Sequence, residues 1–103
     1  MEKEIKIMTV LGNEHYKEAS INAVKKHLGI ITNKYKEISK ILIEVRFTGG
    51  TEVIDNGALQ LSQDKNTLFI YTEFNNIPTT VEVAKRLEKV VTRNIQFIDS
   101  DLN

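Results

Sequence analysis

The chain has 103 residues, which is enough for one domain and too few for a second hydrophobic core. Its 14 basic and 14 acidic residues cancel, and it has no cysteine, which excludes disulfide bonds and thiolate chemistry. The opening "MEKEIKIMTV" alternates charged and apolar residues, unlike the continuous apolar run of a signal peptide or membrane span. We therefore expect one cytoplasmic domain over residues 1–103.

The first predicted elements are a strand and a helix. Ile5 and Ile7 alternate with charged residues before Gly12 breaks the pattern, which predicts a strand. Apolar residues then recur at three- and four-residue steps. This spacing predicts one amphipathic helix, with Asn13 as its N-cap and Gly29 as its stop. The following "NKYKEISK" is either a loop or a continuation of a neighbouring element.

The middle of the chain predicts consecutive strands. "ILIEVRF" (41–47) and "TLFIYTEF" (67–74) alternate between two faces. Gly49-Gly50 and Asn56-Gly57 tolerate the positive φ of two-residue hairpin turns, which would join "TEVI" and "ALQLS" to their neighbours, and "QDKN" supplies a third turn. Strand-like alternation follows the glycines, whereas a phosphate-binding loop requires a helix there. The pattern therefore predicts an antiparallel meander.

A second helix is predicted after Pro78. Thr79 and Glu82 have the spacing of a capping box, and an apolar stripe at helical period follows. The tail, residues 96–103, is expected to add a short strand or to fray. The predicted fold is an α+β domain in which an antiparallel meander of about four to five strands packs on two amphipathic helices, in the order β-α-β-β-β-β-α.

The sequence contains no pattern typical of catalysis or of a bound cofactor. His15 and Glu18 are spaced to share a helix face, but two ligands do not make a metal site. Glu44 and Glu73 are expected on the strand faces opposite the core, as solvent-facing residues. We expect a non-enzymatic protein with no metal and no cofactor.

Nucleic-acid binding is one alternative. The order helix, three strands, helix resembles that of the double-stranded RNA-binding domain, which implies phosphate contacts from basic residues. That family has a lysine cluster at the start of its second helix, whereas this chain reads "TTVEVAKRL" there. The candidate phosphate-binding residues are Lys25, Lys26, Lys34, Lys36, Lys40 and Arg46.

A second resemblance is to the cystatin arrangement, on the order strand, helix and antiparallel meander over roughly residues 1–75. It implies a sheet that wraps one helix, with hairpin tips that bind a protease. The inhibitory Gln-x-Val-x-Gly hairpin is missing, since the comparable turn reads "RFTGGTEV". No residue role and no protease target is transferred.

The sequence favours a protein-interaction domain whose function lies in its surface. Its lysine- and isoleucine-rich usage suggests a bacterial or phage origin. Our hypothesis is an inhibitor of a larger nucleic-acid-handling protein, of the anti-CRISPR or immunity-protein kind; the alternative is an RNA-binding, accessory regulatory or assembly subunit. A homodimer formed through the first or last strand also fits. The acidic residues expected to meet a basic groove of the partner are Glu52, Asp55, Asp64 and Glu73.

Overall fold

The computed structural model describes residues 4–50 and 56–101, without the side chains of Asn56 and of residues 96–101. Within these ranges the chain forms four strands, a short 3₁₀ turn at Glu14–Tyr16 and three α-helices. The strands are β1 (Lys6–Thr9), β2 (Lys40–Phe47), β3 (Asn56–Leu61) and β4 (Thr67–Phe74). The α-helices are α1 (Lys17–Lys25), α2 (Leu28–Lys34) and α3 (Thr80–Asp101). The α+β class is confirmed.

The sheet is mixed, so the predicted antiparallel meander is wrong. Its order is β1-β2-β4-β3, in which β1, β2 and β4 run parallel and β3 is antiparallel to β4. The helices between β1 and β2 carry the chain back to the end of the sheet where β1 begins. A strand that runs parallel to its neighbour requires such a return. Strand β3, the next strand along the chain, lies at the far edge of the sheet, beyond β4.

The two predicted glycine turns have different outcomes. Gly49 has the positive φ expected of a turn, 69°, but the hairpin predicted there leads into "TEVI", so it is not tested by the described residues. Asn56 and Gly57 are the first residues of β3 rather than a turn. The predicted strand "TEVI" lies at 51–54, outside the described residues. The turn between β3 and β4 is confirmed, with Lys65 at a φ of 65°.

One face of the sheet packs against the helices, and no helix or strand of the described residues covers the other, which we call the uncovered face. Strands β2 and β4 alternate between the two faces, as predicted. Their helix-facing side chains, with others from α1, α2 and α3, form the core. Fully buried core residues include Val24, Ile31, Ile41, Ile43, Leu68, Ile70, Val83 and Leu87.

The first predicted helix is divided. A 3₁₀ turn leads into α1, and α2 starts after Lys26 and His27, so that Gly29 lies inside α2 instead of stopping a helix. Asn13 makes no side-chain capping bond. The prediction of one helix from Asn13 to Gly29 is therefore wrong in its start and its end, although its helical character is confirmed.

Helix α3 begins as predicted. The backbone N–H of Thr79 donates to Glu82 Oε1 at 3.0 Å, and the N–H of Glu82 donates to Thr79 Oγ1 at 3.1 Å, which completes the capping box. The helix continues to Asp101, so the alternative of a short terminal strand is wrong. It lies close to β3: a Cβ at Gly57 would collide with Cγ2 of Val90 and come within 3.0 Å of the carbonyl oxygen of Tyr71.

Candidate functional site

The loops that follow β1, β2 and β4 meet at one end of the sheet, beyond the last residues of these strands. These three strands are parallel, so their carboxyl ends point the same way. Ligands of α/β sheets bind in the crevice outside the carboxyl ends of the strands. We call this part of the molecule the loop end and define it as residues 10–16, 47–50 and 75–81.

The loop end contains a cleft of about 560 Å³. That volume lies in the range of ligand-binding pockets, about 300–1,000 Å³. Its lining combines aromatic and aliphatic side chains with two amides, one imidazole and glycine backbone. The lining residues are Gly12, His15, Tyr16, Phe47, Gly49, Asn75, Asn76 and Ile77.

Asn13 fixes the first loop of the site to the sheet. Its side chain is buried, donates from Nδ2 to the carbonyl oxygen of Val45 at 3.1 Å and accepts from the N–H of Val45 at 3.2 Å. Strand β1 ends opposite Ile43 and does not reach Val45. The side-chain amide of Asn13 therefore makes the hydrogen bonds to Val45 that a longer β1 would have made with its backbone. The preceding Gly12 has a φ of 94°, which disfavours any residue with a side chain. The loop is thus held by a specific buried contact.

Tyr16 fixes the third loop. Its ring is buried beside Phe47, with the centroids 6.0 Å apart, and its hydroxyl donates to the carbonyl oxygen of Pro78 at 2.9 Å. The phenol proton is therefore used in a structural bond. Because one side chain contacts both the end of β2 and the segment before α3, the walls of the cleft are held relative to each other.

Exposed apolar side chains are concentrated in the loop end, and two of them, Phe47 and Ile77, line the cleft. Leu11 and Ile77 are 96% and 83% exposed, and Phe47 and Val81 are 48% and 60% exposed. Of the seven large hydrophobic side chains exposed in the described part of the chain, these four belong to the loop end. Single exposed apolar residues are ordinary on protein surfaces, whereas a contiguous group marks an interaction site.

The cleft is lined by polar and apolar groups, and its lining has no acidic residue, lysine or arginine. His15 contributes an imidazole to this lining. Asn75 and Asn76 can both donate and accept hydrogen bonds, as a peptide backbone requires. The cleft thus places amide and backbone hydrogen-bonding groups beside apolar side chains.

The uncovered sheet face carries a second group of charged and aromatic side chains. Arg46 Nε lies 3.2 Å from Glu44 Oε2, and Arg46 Nη1 lies 3.8 Å from Glu73 Oε1. The hydrogen bond from Arg46 to Glu44, with their charge attraction, raises the pKa of the guanidinium. Phe69, in the same strand as Glu73 and on the same face, is 38% exposed. This face is apolar at its centre and ion-paired at one end.

The two predicted acidic residues that the structure describes, Asp64 and Glu73, lie far apart. Glu52 and Asp55 lie outside the described residues. Asp64 lies in the turn before β4, where it accepts hydrogen bonds from Ser62 Oγ and the N–H of Asn66; these bonds lower the pKa of its carboxyl. Glu73 lies near the opposite end of β4, so the length of the strand separates the two, about 25 Å. An acidic surface stays a prediction.

The predicted basic residues lie on several surfaces. Lys25 ends α1, and Lys26 pairs with Glu88 of α3 at 3.3 Å. Lys40 and Arg46 are on β2, on the uncovered face. Lys34 and Lys36, with Lys65, line a groove of about 330 Å³ at the end of the molecule opposite the loop end; its other lining residues are Tyr35, Glu37 and Leu61.

Two kinds of site are absent from the described residues. Across residues 4–50 and 56–101, no three histidine, aspartate or glutamate side chains are grouped as metal ligands would be. In the same part of the chain, no helix combines the length and the apolar character needed to cross a membrane.

Comparison of the chain with protein-family models, curated proteins and solved structures returns no match. The two resemblances suggested by element order both depended on an antiparallel sheet, which this fold lacks. Every functional assignment therefore depends on the geometry of this chain.

Proposed function

We propose that this chain is a non-enzymatic protein-interaction domain that binds its partner at the loop end. The observation that supports this proposal best is the group of exposed apolar side chains in the loop end, which also contains a cleft lined without acidic residues, lysine or arginine; Leu11 and Ile77 are the most exposed of these side chains. Interfaces are built around apolar anchors, and charged residues are depleted from their cores.

The cleft also suggests what the partner presents. An apolar side chain of the partner would fill the space beside Phe47, while the exposed amide of Asn76 would bond the partner's backbone next to it. The buried contacts of Asn13 and Tyr16 hold the loops before binding, which lowers the entropic cost of association. A loop or terminal segment of a larger protein fits this description.

The narrower hypothesis, inhibition of a nucleic-acid-handling protein, is a special case of this proposal. It needs the partner's groove to be basic as well as apolar, and it needs the acidic residues named above to contribute. Charge reversal of Glu52, Asp55, Asp64 and Glu73 would then abolish inhibition. Unchanged potency in that variant would remove the inhibitor hypothesis and leave the interaction domain intact.

The proposal is tested by affinity capture with matched variants. We would compare wild type, Leu11→Ser/Ile77→Ser and the control Ile30→Ser in lysate of the source cell, with and without nuclease, by quantitative mass spectrometry. Ile30 is 46% exposed and lies on α2, away from the loop end. Exposed substitutions of this kind change stability by about 0.5 kcal/mol or less, so all three proteins should fold.

We expect wild type and the Ile30 control to retain the same protein, both with and without nuclease treatment of the lysate. Its retention should fall at least about tenfold with the loop-end variant, as loss of two interface anchors implies. Equal retention by all three proteins would refute the loop end as the binding site.

Single-stranded nucleic acid on the uncovered sheet face is the second candidate. Phe69 and Tyr71 stand two residues apart on β4, and Lys6 and Lys40 occupy neighbouring strands on the same face, a combination of stacking rings and cations that single strands bind. This candidate ranks second because Arg46 on that face is already paired with two glutamates. Nucleic-acid binding would be favoured if the chain bound a single-stranded oligonucleotide in a salt-dependent manner and Phe69→Ala weakened that binding.

A further inference from the structure

Among the described strands, β3 has one edge without a pairing partner. In the described part of the chain β3 pairs with β4 on one side and with no strand on the other. An open edge presents unpaired N–H and C=O groups, and proteins usually protect it with charges, proline, a bulge or a very short strand. Strand β3, "NGALQL", spans six residues without a charged residue or a proline.

The other edge of the sheet is better protected. Strand β1 has four residues and carries Lys6. Short length and a lysine are both features that discourage edge pairing. The two edges therefore differ, and β3 is the one that invites another strand.

The hydrogen-bond pattern identifies which groups of β3 point outward. The N–H of Ser62 donates to the carbonyl oxygen of Thr67 at 2.8 Å, so these residues form a hydrogen-bonded pair of the antiparallel ladder. Such pairs alternate along the ladder. The backbone groups of Gly57, Leu59 and Leu61 consequently face away from β4.

We propose that two copies of this chain pair through β3, antiparallel across a two-fold axis at Leu59, and form one continuous eight-stranded sheet. In this register Gly57 of each copy pairs with Leu61 of the other, which uses all the outward-facing groups. Any other register of outward-facing residues leaves some of them unpaired. The pairing uses β3 and not the loop end, so a test of this pairing is independent of a test of the proposed function.

A second copy fits this edge better than an arbitrary strand does. The strand has no net charge to repel its own copy, and its helix-facing side would continue as an apolar stripe of Leu59 and Leu61 from both chains. Helix α3 lies over both β3 and β4, so the two α3 helices would be about 10 Å apart, close to the usual packing distance of 8–10 Å.

The register supplies a sharp test. Ala58 and Gln60 lie on the uncovered face, and in the dimer Ala58 of one copy stands opposite Gln60 of the other. The variant Ala58→Lys/Gln60→Lys would place like charges opposite each other twice. The matched variant Ala58→Glu/Gln60→Lys would place opposite charges there instead. Cross-strand pairs of this kind predict a dissociation constant raised about tenfold in the first variant and restored in the second.

Sedimentation velocity measures the association at protein concentrations up to about 1 mM. We expect the fraction of dimer in the wild-type protein to rise with protein concentration. At equal concentration, the double-lysine variant should contain less dimer than wild type, and the glutamate–lysine variant should contain as much or more. Circular dichroism confirms that both variants are folded. A monomeric wild type at the highest concentration, or equal dimerisation by the two variants, would overturn the proposal.

Discussion

Asn13→Ala is expected to destabilise the fold substantially, although it removes only one small side chain. The amide makes two buried hydrogen bonds to the backbone of Val45, one as donor and one as acceptor. Each bond contributes about 1 kcal/mol, and leaving the N–H and C=O of Val45 unpaired adds a further penalty of about 1 kcal/mol or more. We therefore expect the free energy of unfolding to fall by roughly 2–4 kcal/mol.

Urea denaturation measures this loss, with Asn22→Ala as the matched control. The side chain of Asn22 is exposed on α1, so its replacement by alanine should change stability by about 0.5 kcal/mol or less. Asn13→Asp separates the two bonds, because it keeps an acceptor for the N–H of Val45 and sets a second acceptor against the carbonyl. It should be at least as harmful as alanine. An Asn13→Ala protein as stable as the control would refute this account of the first loop.

Three further changes test the packing and the electrostatics of the domain. Ser20→Ala should stabilise by about 0.5–1 kcal/mol, because the buried Oγ of Ser20 has no hydrogen-bond partner in the described part of the chain; thermal denaturation would contradict this if the midpoint fell. Gly57→Ala should cost about 1–3 kcal/mol, because its Cβ collides with Val90, and an unchanged urea midpoint would rule out the close packing of α3 on β3. Hydrogen bonds from Thr79 lower the folded-state pKa of Glu82, so its stabilisation is complete above the ordinary glutamate pKa of about 4.3 and is lost as pH falls through the lower folded-state value. Unfolding measured against pH should show a shallower acid limb for Glu82→Gln, and an identical limb would show that this carboxylate does not contribute.

Local signals in the sequence predicted local structure well. The alternation in β2 and β4 and the capping box of α3 each involve residues a few positions apart, and the structure confirms them. The order of the strands depends on non-local contacts. A strand with one buried face alternates in the same way whether its neighbour is parallel or antiparallel, so the pattern could not distinguish a meander from this mixed sheet.

Asn13 shows why the site was harder to predict. Asparagine before a helical pattern is a favoured N-cap, and that local preference was the basis of the prediction. The structure uses the same amide for a partner 32 residues away, which no local rule describes. Leu11 and Ile77 carry a weak signal, since each is an apolar residue among the turn-forming residues of "VLGN" and "NNIP". Their exposure depends on the fold.

Site-specific photocrosslinking tests the central claim, a partner bound at the loop end, most directly. A photoreactive phenylalanine analogue would replace Leu11, Ile77 or, as the control, Ile30, and the protein would be irradiated in the source cell. We predict that positions 11 and 77 crosslink to the same protein and that position 30 does not. Crosslinks from position 30 alone, or none at positions 11 and 77 while a residue of the uncovered sheet face such as Phe69 yields one, would contradict the account.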